Sequence, residues 1–170
     1  MKSCVTIALV PTLQTGPWVY WHDLADSLHR AAALGFDAVE LFTASADALD
    51  PAAVGRACRA SGLRVGAVGT GAGNVLHGLT LTDPSPAVRR AAVAFIREMI
   101  AFGARLEAPA IIGSIQGSAA GHVTRPQALD WLAAVRLPAT DGDPSAARQA
   151  LHAHPLHRAL LQVNGLCPAP

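Results

Sequence analysis

Few side chains in this sequence are suited to acid–base chemistry. Its only glutamates are Glu40, Glu98 and Glu107. Glu40 closes the short apolar run Ala38-Val39 at what reads as the C-terminal end of a strand, where parallel β/α proteins place functional groups. A carboxylate there could orient a substrate hydroxyl or support a neighbouring group. The alternative is a buried acid paired with an arginine or with backbone amides, since buried glutamates are rare unless paired. Glu98 falls within a helical stripe, and Glu107 falls before a strand, on the far side from such a face.

Other polar groups gather at expected strand ends. Ser114 and Gln116 follow Ala110-Ile111-Ile112-Gly113 and suit ligand hydroxyls, or they cap a loop. Thr70 sits in Gly69-Thr70-Gly71-Ala72-Gly73, a fragment of a dinucleotide fingerprint without its third glycine. No helix is expected before Pro86, so the phosphate-on-helix mechanism is missing. The loop therefore reads as a tight turn, with Thr70 in reach of a ligand as a secondary use. His77 and His122 lie in successive loops on the same expected face, as ligand contacts or as solvated surface residues. Trp18, Tyr20 and Trp21 could wall a pocket, and at least one reads as plain packing. No G-x-S-x-G, H-E-x-x-H or P-loop pattern occurs.

Positioning these groups requires a repeating scaffold. Three times an amphipathic helix ends at a glycine, Gly35, Gly62 or Gly103, and a short apolar strand follows. Strands are expected at residues 4–10, 38–42, 64–68 and 110–113, nearly continuous in apolar character, as in a parallel sheet covered by helices. The first helix, over 23–34, presents Leu24, Leu28 and Ala31 on one face. The second opens with Asp50 as N-cap and Pro51 at its first position. The loop over 69–84 precedes a third helix begun by Ser85-Pro86, with Val88, Ala92, Phe95, Met99 and Phe102 repeating at helical spacing. Thr124-Arg125-Pro126-Gln127 forms a capping box that opens a fourth helix through Leu129 and Leu132.

Composition narrows the classes. The 170 residues normally make one domain, too short for a complete eight-unit β/α barrel, which needs roughly 200 residues or more. Charge is nearly balanced at +1, and the arginines are scattered, so no basic stripe argues for nucleic acid. Three cysteines, Cys4, Cys58 and Cys167, lack metal or disulfide spacing, which suggests a reducing cytoplasm. The apolar run at 5–10 is too short and polar-interrupted for a signal peptide, and no membrane span is expected. From residue 137 onward the rhythm is lost: five of twelve prolines and three of seven histidines fall there, and no glutamate does. Only short helices are expected in that tail.

The blocks Gly35-Phe36-Asp37-Ala38-Val39-Glu40-Leu41, Val68-Gly69-Thr70-Gly71-Ala72-Gly73 through Leu79-Thr80-Leu81-Thr82-Asp83, and Ala108-Pro109-Ala110-Ile111-Ile112-Gly113-Ser114-Ile115-Gln116-Gly117 resemble the sugar phosphate isomerase/epimerase family of xylose isomerase-like barrels. The resemblance covers roughly residues 4–135. It implies an α/β fold: a partial (β/α) barrel of about four parallel β/α units over residues 1–136, with an irregular or short-helical tail over 137–170. The tail is expected to be a frameshift or truncation product.

The resemblance also implies the function of a metal-dependent sugar or sugar-phosphate isomerase or epimerase, with proton transfer through a cis-enediolate. The divalent metal of the family, manganese, magnesium or cobalt, is held on strands five to eight, beyond the resemblance. It thus implies neither a metal ligand nor an assigned catalytic residue here, and the isolated chain is expected to be inactive. Glu40, Thr70, Ser114, Gln116, His77 and Trp18 are the expected substrate contacts, with a small sugar or sugar phosphate as partner. The competing reading is a non-catalytic half-barrel that associates with another copy through its open edge. A doubly wound nucleotide binder would need a reversal of strand order. The related endonucleases that cut abasic DNA carry histidines at strand ends that here read Val68-Gly69-Thr70 and Gly113-Ser114-Ile115, which disfavours DNA repair.

Overall fold

The computed structural model of the chain describes residues 2–13 and 15–135. The tail expected over 137–170 lies outside the described residues. Ten helices and strands are described in chain order: β1 (Cys4–Leu9), β2 (Tyr20–Trp21), α1 (Leu24–Ala33), β3 (Ala38–Thr43), α2 (Pro51–Ala60), β4 (Arg64–Gly69), α3 (Ala72–His77), α4 (Pro86–Ala104), β5 (Ala110–Ile111) and α5 (Arg125–Ala134). One turn of 3-10 helix, Ser114–Gln116, separates the last two.

The strands form one parallel sheet in the order β2-β1-β3-β4-β5. The four strands expected from the sequence therefore lie side by side in chain order, with no reversal. Such an array with alternating helices is TIM-barrel-like. The short β2 is an addition, because the segment around Trp21 reads as loop. His22 N–H donates to Ala8 O at 2.8 Å and fixes that segment to the outer edge of β1. All four strand ends differ from expectation: β1 stops at Leu9, one residue early, and β4 continues to Gly69, one residue late. β3 continues to Thr43, and β5 stops at Ile111, two residues before Gly113.

Alternation along the strands separates two faces. Ile7, Val39, Leu41 and Val68 are fully buried on the face that takes the helices. Against it lie α1 on β1, α2 on β4, and α4 on β4 and β5. The turn after α4 folds back on Gly103, where a Cβ would sit 2.6 Å from Ala108 O and 3.6 Å from Val68 Cγ2 of β4. Of the stripe expected on α4, Ala92, Phe95, Met99 and Phe102 are buried and Val88, in the first turn, is half-buried.

The caps also follow the sequence. Asp23 and Asp50 accept from backbone amides of α1 and α2, and Thr124 and Gln127 complete a reciprocal capping box on α5. On α5, however, Ala128 is the buried residue, and Leu129 is 40% exposed. The other departure is α3, a six-residue helix inside the stretch expected to be a loop until Pro86. Among the described residues no helix is long and apolar enough to cross a membrane.

Candidate functional site

The face opposite the helices is open. Cys4 and Gly66 are exposed there, and Thr6 and Glu40 are half-buried. Glu40 stands in the middle of β3, with Phe42 and Thr43 buried beyond it, and not at the strand's end. Its placement follows from register, since β1 and β3 pair Thr6 with Glu40. The Thr6 hydroxyl donates to Glu40 Oε2 at 3.0 Å. The partner expected for this carboxylate was an arginine or a backbone amide, and it is a hydroxyl.

Around Glu40 the surface is shaped by glycines and one aromatic stack. A Cβ on Gly69 would come 3.0 Å from Glu40 Oε1 and 3.3 Å from the Phe42 ring. A Cβ on Gly71 would come 2.9 Å from the same ring and 3.3 Å from Ser114 Oγ. Phe42 is in turn stacked on Trp18, ring centroids 4.6 Å apart, and Trp18 meets Trp21 edge to face at 5.3 Å. Glu40, Phe42, Trp18, Gly69, Gly71 and Ser114 thus pack continuously from mid-sheet to the C-terminal strand ends, with Phe42, Gly69 and Gly71 buried and Glu40, Trp18 and Ser114 in reach of solvent. Tyr20 is buried as packing.

The other expected contacts are placed differently. Thr70 is fully buried, and both its hydroxyl and its N–H donate to Ile111 O, at 2.8 and 3.2 Å. That hydroxyl ties β4 to β5. Gln116 is also buried, and its Nε2 has no hydrogen-bond partner among the described residues. His77 and His122 are both exposed; His77 ends α3, with its ring 6.1 Å from Phe95. Thr6 and Phe42 belong to the site and were missed. Both lie on the Glu40 face, Phe42 by period-2 alternation from Glu40 itself, so strand spacing alone could have found it.

The charge of Glu40 is felt locally. The Cys4 thiol is pushed above its ordinary range, first by desolvation and second by the Glu40 carboxylate. Among the described residues no group of three or more His, Cys, Asp or Glu side chains converges. One carboxylate with a hydroxyl and a protonated thiol does not make a site for a divalent metal, which takes several oxygen or imidazole ligands. No chemical step is routed through a metal here.

A parallel β/α sheet with helices on one face and a half-buried carboxylate on the other is a TIM-barrel-type scaffold. The family model of the xylose isomerase-like TIM barrel matches residues 28–141, about two-thirds of the sequence. The chain belongs to that family.

Solved structures agree on the fold. A D-psicose 3-epimerase with D-tagatose from Clostridium cellulolyticum H10 superposes with a TM-score of 0.52 at 15% identity, over 78% of this chain and 46% of that one. A D-psicose 3-epimerase in the presence of D-fructose gives 0.51 at 15% identity, with the same shares covered. The 3-keto-D-glucoside 4-epimerase of E. coli gives 0.53 at 10% identity, over 97% of this chain and 54% of that one. The chain spans about half the length of these structures. No curated protein matches the sequence.

Proposed function

We propose that this chain is the substrate-positioning half of a sugar isomerase or epimerase, acting on a small sugar or sugar phosphate in the cytoplasm. The observation that carries the reading is Glu40. It is the one glutamate on the open face, held by Thr6, beside the Trp18–Phe42 stack and packed against Gly69, whose missing side chain leaves space for the carboxylate itself. Aromatic faces pack against sugar C–H groups, while a carboxylate accepts hydrogen bonds from sugar hydroxyls. Membership of the family and the likeness to three sugar epimerases support the substrate class.

Glu40 can orient a hydroxyl. Moving a proton between neighbouring sugar carbons asks for more: a positioned base, and stabilisation of the charge that develops on oxygen. The family's divalent metal would provide that stabilisation, and the described residues do not furnish its ligands. The isolated chain is therefore expected to bind and not to turn over. Incubation with D-fructose or D-tagatose in deuterated water, with manganese, magnesium or cobalt, should show no carbon-bound deuterium above the buffer blank. Incorporation that copurifies with the chain and disappears on chelation would contradict this.

One observation favours a second reading, association between copies. Strand β5 pairs with β4 alone among the described residues, and Ile111 on it is 39% exposed. Open strand edges template pairing with another chain. Concentration-dependent dimerisation in gel filtration, removed by Ile111→Lys, would support this reading; a monomer at all concentrations would exclude it.

A further inference from the structure

Beside the open face lies a cleft of about 530 Å³, between the segment that follows β4 and the segment that follows β5. Its polar lining includes Asn74, Thr80, Asp83, Ser114, Ser118 and His122. The size is that of a small-molecule pocket. Its two walls are fixed to one another: Asn74 Nδ2 donates to Ser114 O at 3.0 Å, and Thr82 Oγ1 donates to Ser118 O at 3.1 Å. Gly117 lets the walls approach, since a Cβ there would collide with the Thr80 and Thr82 side chains. The cleft borders the open face, because Ser114 lines it and also flanks Gly71, which abuts Phe42.

Its chemistry is specific. Hydroxyls, an amide and an imidazole supply donors and acceptors, and Asp83 supplies a carboxylate. Among the described residues no lysine or arginine lines it. Arg89 comes near, but its Nη1 donates to the backbone oxygens of Asp83 and Pro84 at 2.6 and 3.0 Å. Its guanidinium lies over the Trp131 ring, 4.1 Å from the centroid. Phosphate sites use arginine, lysine or helix N-terminal amides to balance the anion. Here a phosphoryl group would meet the Asp83 carboxylate, with no lysine or arginine among the described lining residues to offset it.

We propose that this cleft is the subsite for the uncharged, polyhydroxylated end of the ligand, so that the chain takes a free sugar and excludes a sugar phosphate. The proposal rests on the sugar reading of the open face and extends it to the choice between the two substrate classes. Asp83 accepts from ligand hydroxyls and repels phosphate. The hydroxyl, amide and imidazole groups complete the hydrogen bonding that a polyol needs on leaving water.

The test is a titration of the isotope-labelled full chain with D-fructose and with D-fructose 6-phosphate, followed by backbone amide shifts. D-fructose should move the amides of Thr80, Ser118 and His122 together with those of Gly69 and Gly71, and should bind at least about 10-fold tighter than the phosphate. The variant Asp83→Asn, which keeps the acceptor for Ser85 N–H, should shrink that ratio severalfold. Equal or tighter binding of the phosphate overturns the proposal. Shifts at Gly69 and Gly71 that never reach the cleft also overturn it and leave the sugar reading standing. Absence of any shift with either sugar overturns both.

Discussion

Thr6 Oγ1 and Glu40 Oε2 lie 3.0 Å apart across the β1–β3 pair, which makes the placement of the candidate carboxylate a consequence of strand register. A slip by one residue would carry Glu40 to the helix-covered face and Val39 to the open one. The bond also limits the orientation of the carboxylate. Thr6→Val keeps the shape and removes the donor. Because Glu40 keeps access to water, the expected cost is about 1 kcal/mol, read from urea denaturation. A loss above about 3 kcal/mol would mean that the carboxylate is effectively sealed from solvent.

Cys4 reports on the same charge. Burial and then Glu40 hold its thiol above the ordinary range, so thiolate is scarce at neutral pH. Removing the charge with Glu40→Gln should speed iodoacetamide alkylation of Cys4 at pH 8, and Cys58, buried in the helix-facing core, should be unaffected. Mass spectrometry of the peptides that carry Cys4 and Cys58 resolves their rates. An unchanged Cys4 rate would show that Glu40 does not act on this thiol.

How far the sequence disclosed the fold follows from how local each signal was. Asp50-Pro51 and the Thr124/Gln127 box are local hydrogen-bond chemistry, and both helix starts are where the sequence put them. The helix α3 was hidden, because Gly71, Gly73 and Gly78 lower helix propensity. What holds it is tertiary contact. A Cβ on Gly73 would stand 2.6 Å from Ile115 Cδ1 and 2.9 Å from Phe95 Cδ1, so the helix rests against a loop about forty residues later and against α4. Thr70 was misjudged for the same reason, since its acceptor, Ile111 O, comes from another strand. Glu40 could be named from its position, but its mid-strand setting and its Thr6 partner depend on register between strands far apart in sequence.

Two glycine substitutions test packing against propensity. In Gly103→Ala the new methyl meets the backbone oxygen of Ala108, which cannot swing aside, so about 1–3 kcal/mol of stability should be lost. In Gly55→Ala, inside α2, the nearest atom is the far end of Arg59 at 3.2 Å. There the gain in helix propensity should prevail, by about 0.5–1 kcal/mol. Denaturation midpoints that moved in the same direction for both would refute the tight packing of Gly103 against the turn after α4.

Asp37 fastens the start of β3 to the start of β1. Its Oδ2 accepts from Ser3 N at 2.7 Å and from Ser3 Oγ at 3.2 Å, and these bonds hold its carboxyl below the ordinary value of 3.8. A depressed folded-state value means that the contribution to stability is complete above the unfolded value. It is lost as pH falls below about 3.8 toward the folded one. Wild-type stability should therefore drop over that acid range more than that of Asp37→Asn, with little difference in slope between pH 5 and 8. Parallel curves throughout would contradict the role of this carboxylate.

The central claim is that the open face holds a sugar against Glu40. It is tested most directly by titrating D-fructose into the labelled full chain and into its Glu40→Gln variant, reading the backbone amides. In the wild type, shifts should centre on Thr6, Gly69 and Gly71, and the Glu40→Gln variant should bind at least about 10-fold more weakly while keeping the native spectrum elsewhere. Shifts confined to the helix-covered side, or identical affinity in the two proteins, would contradict it.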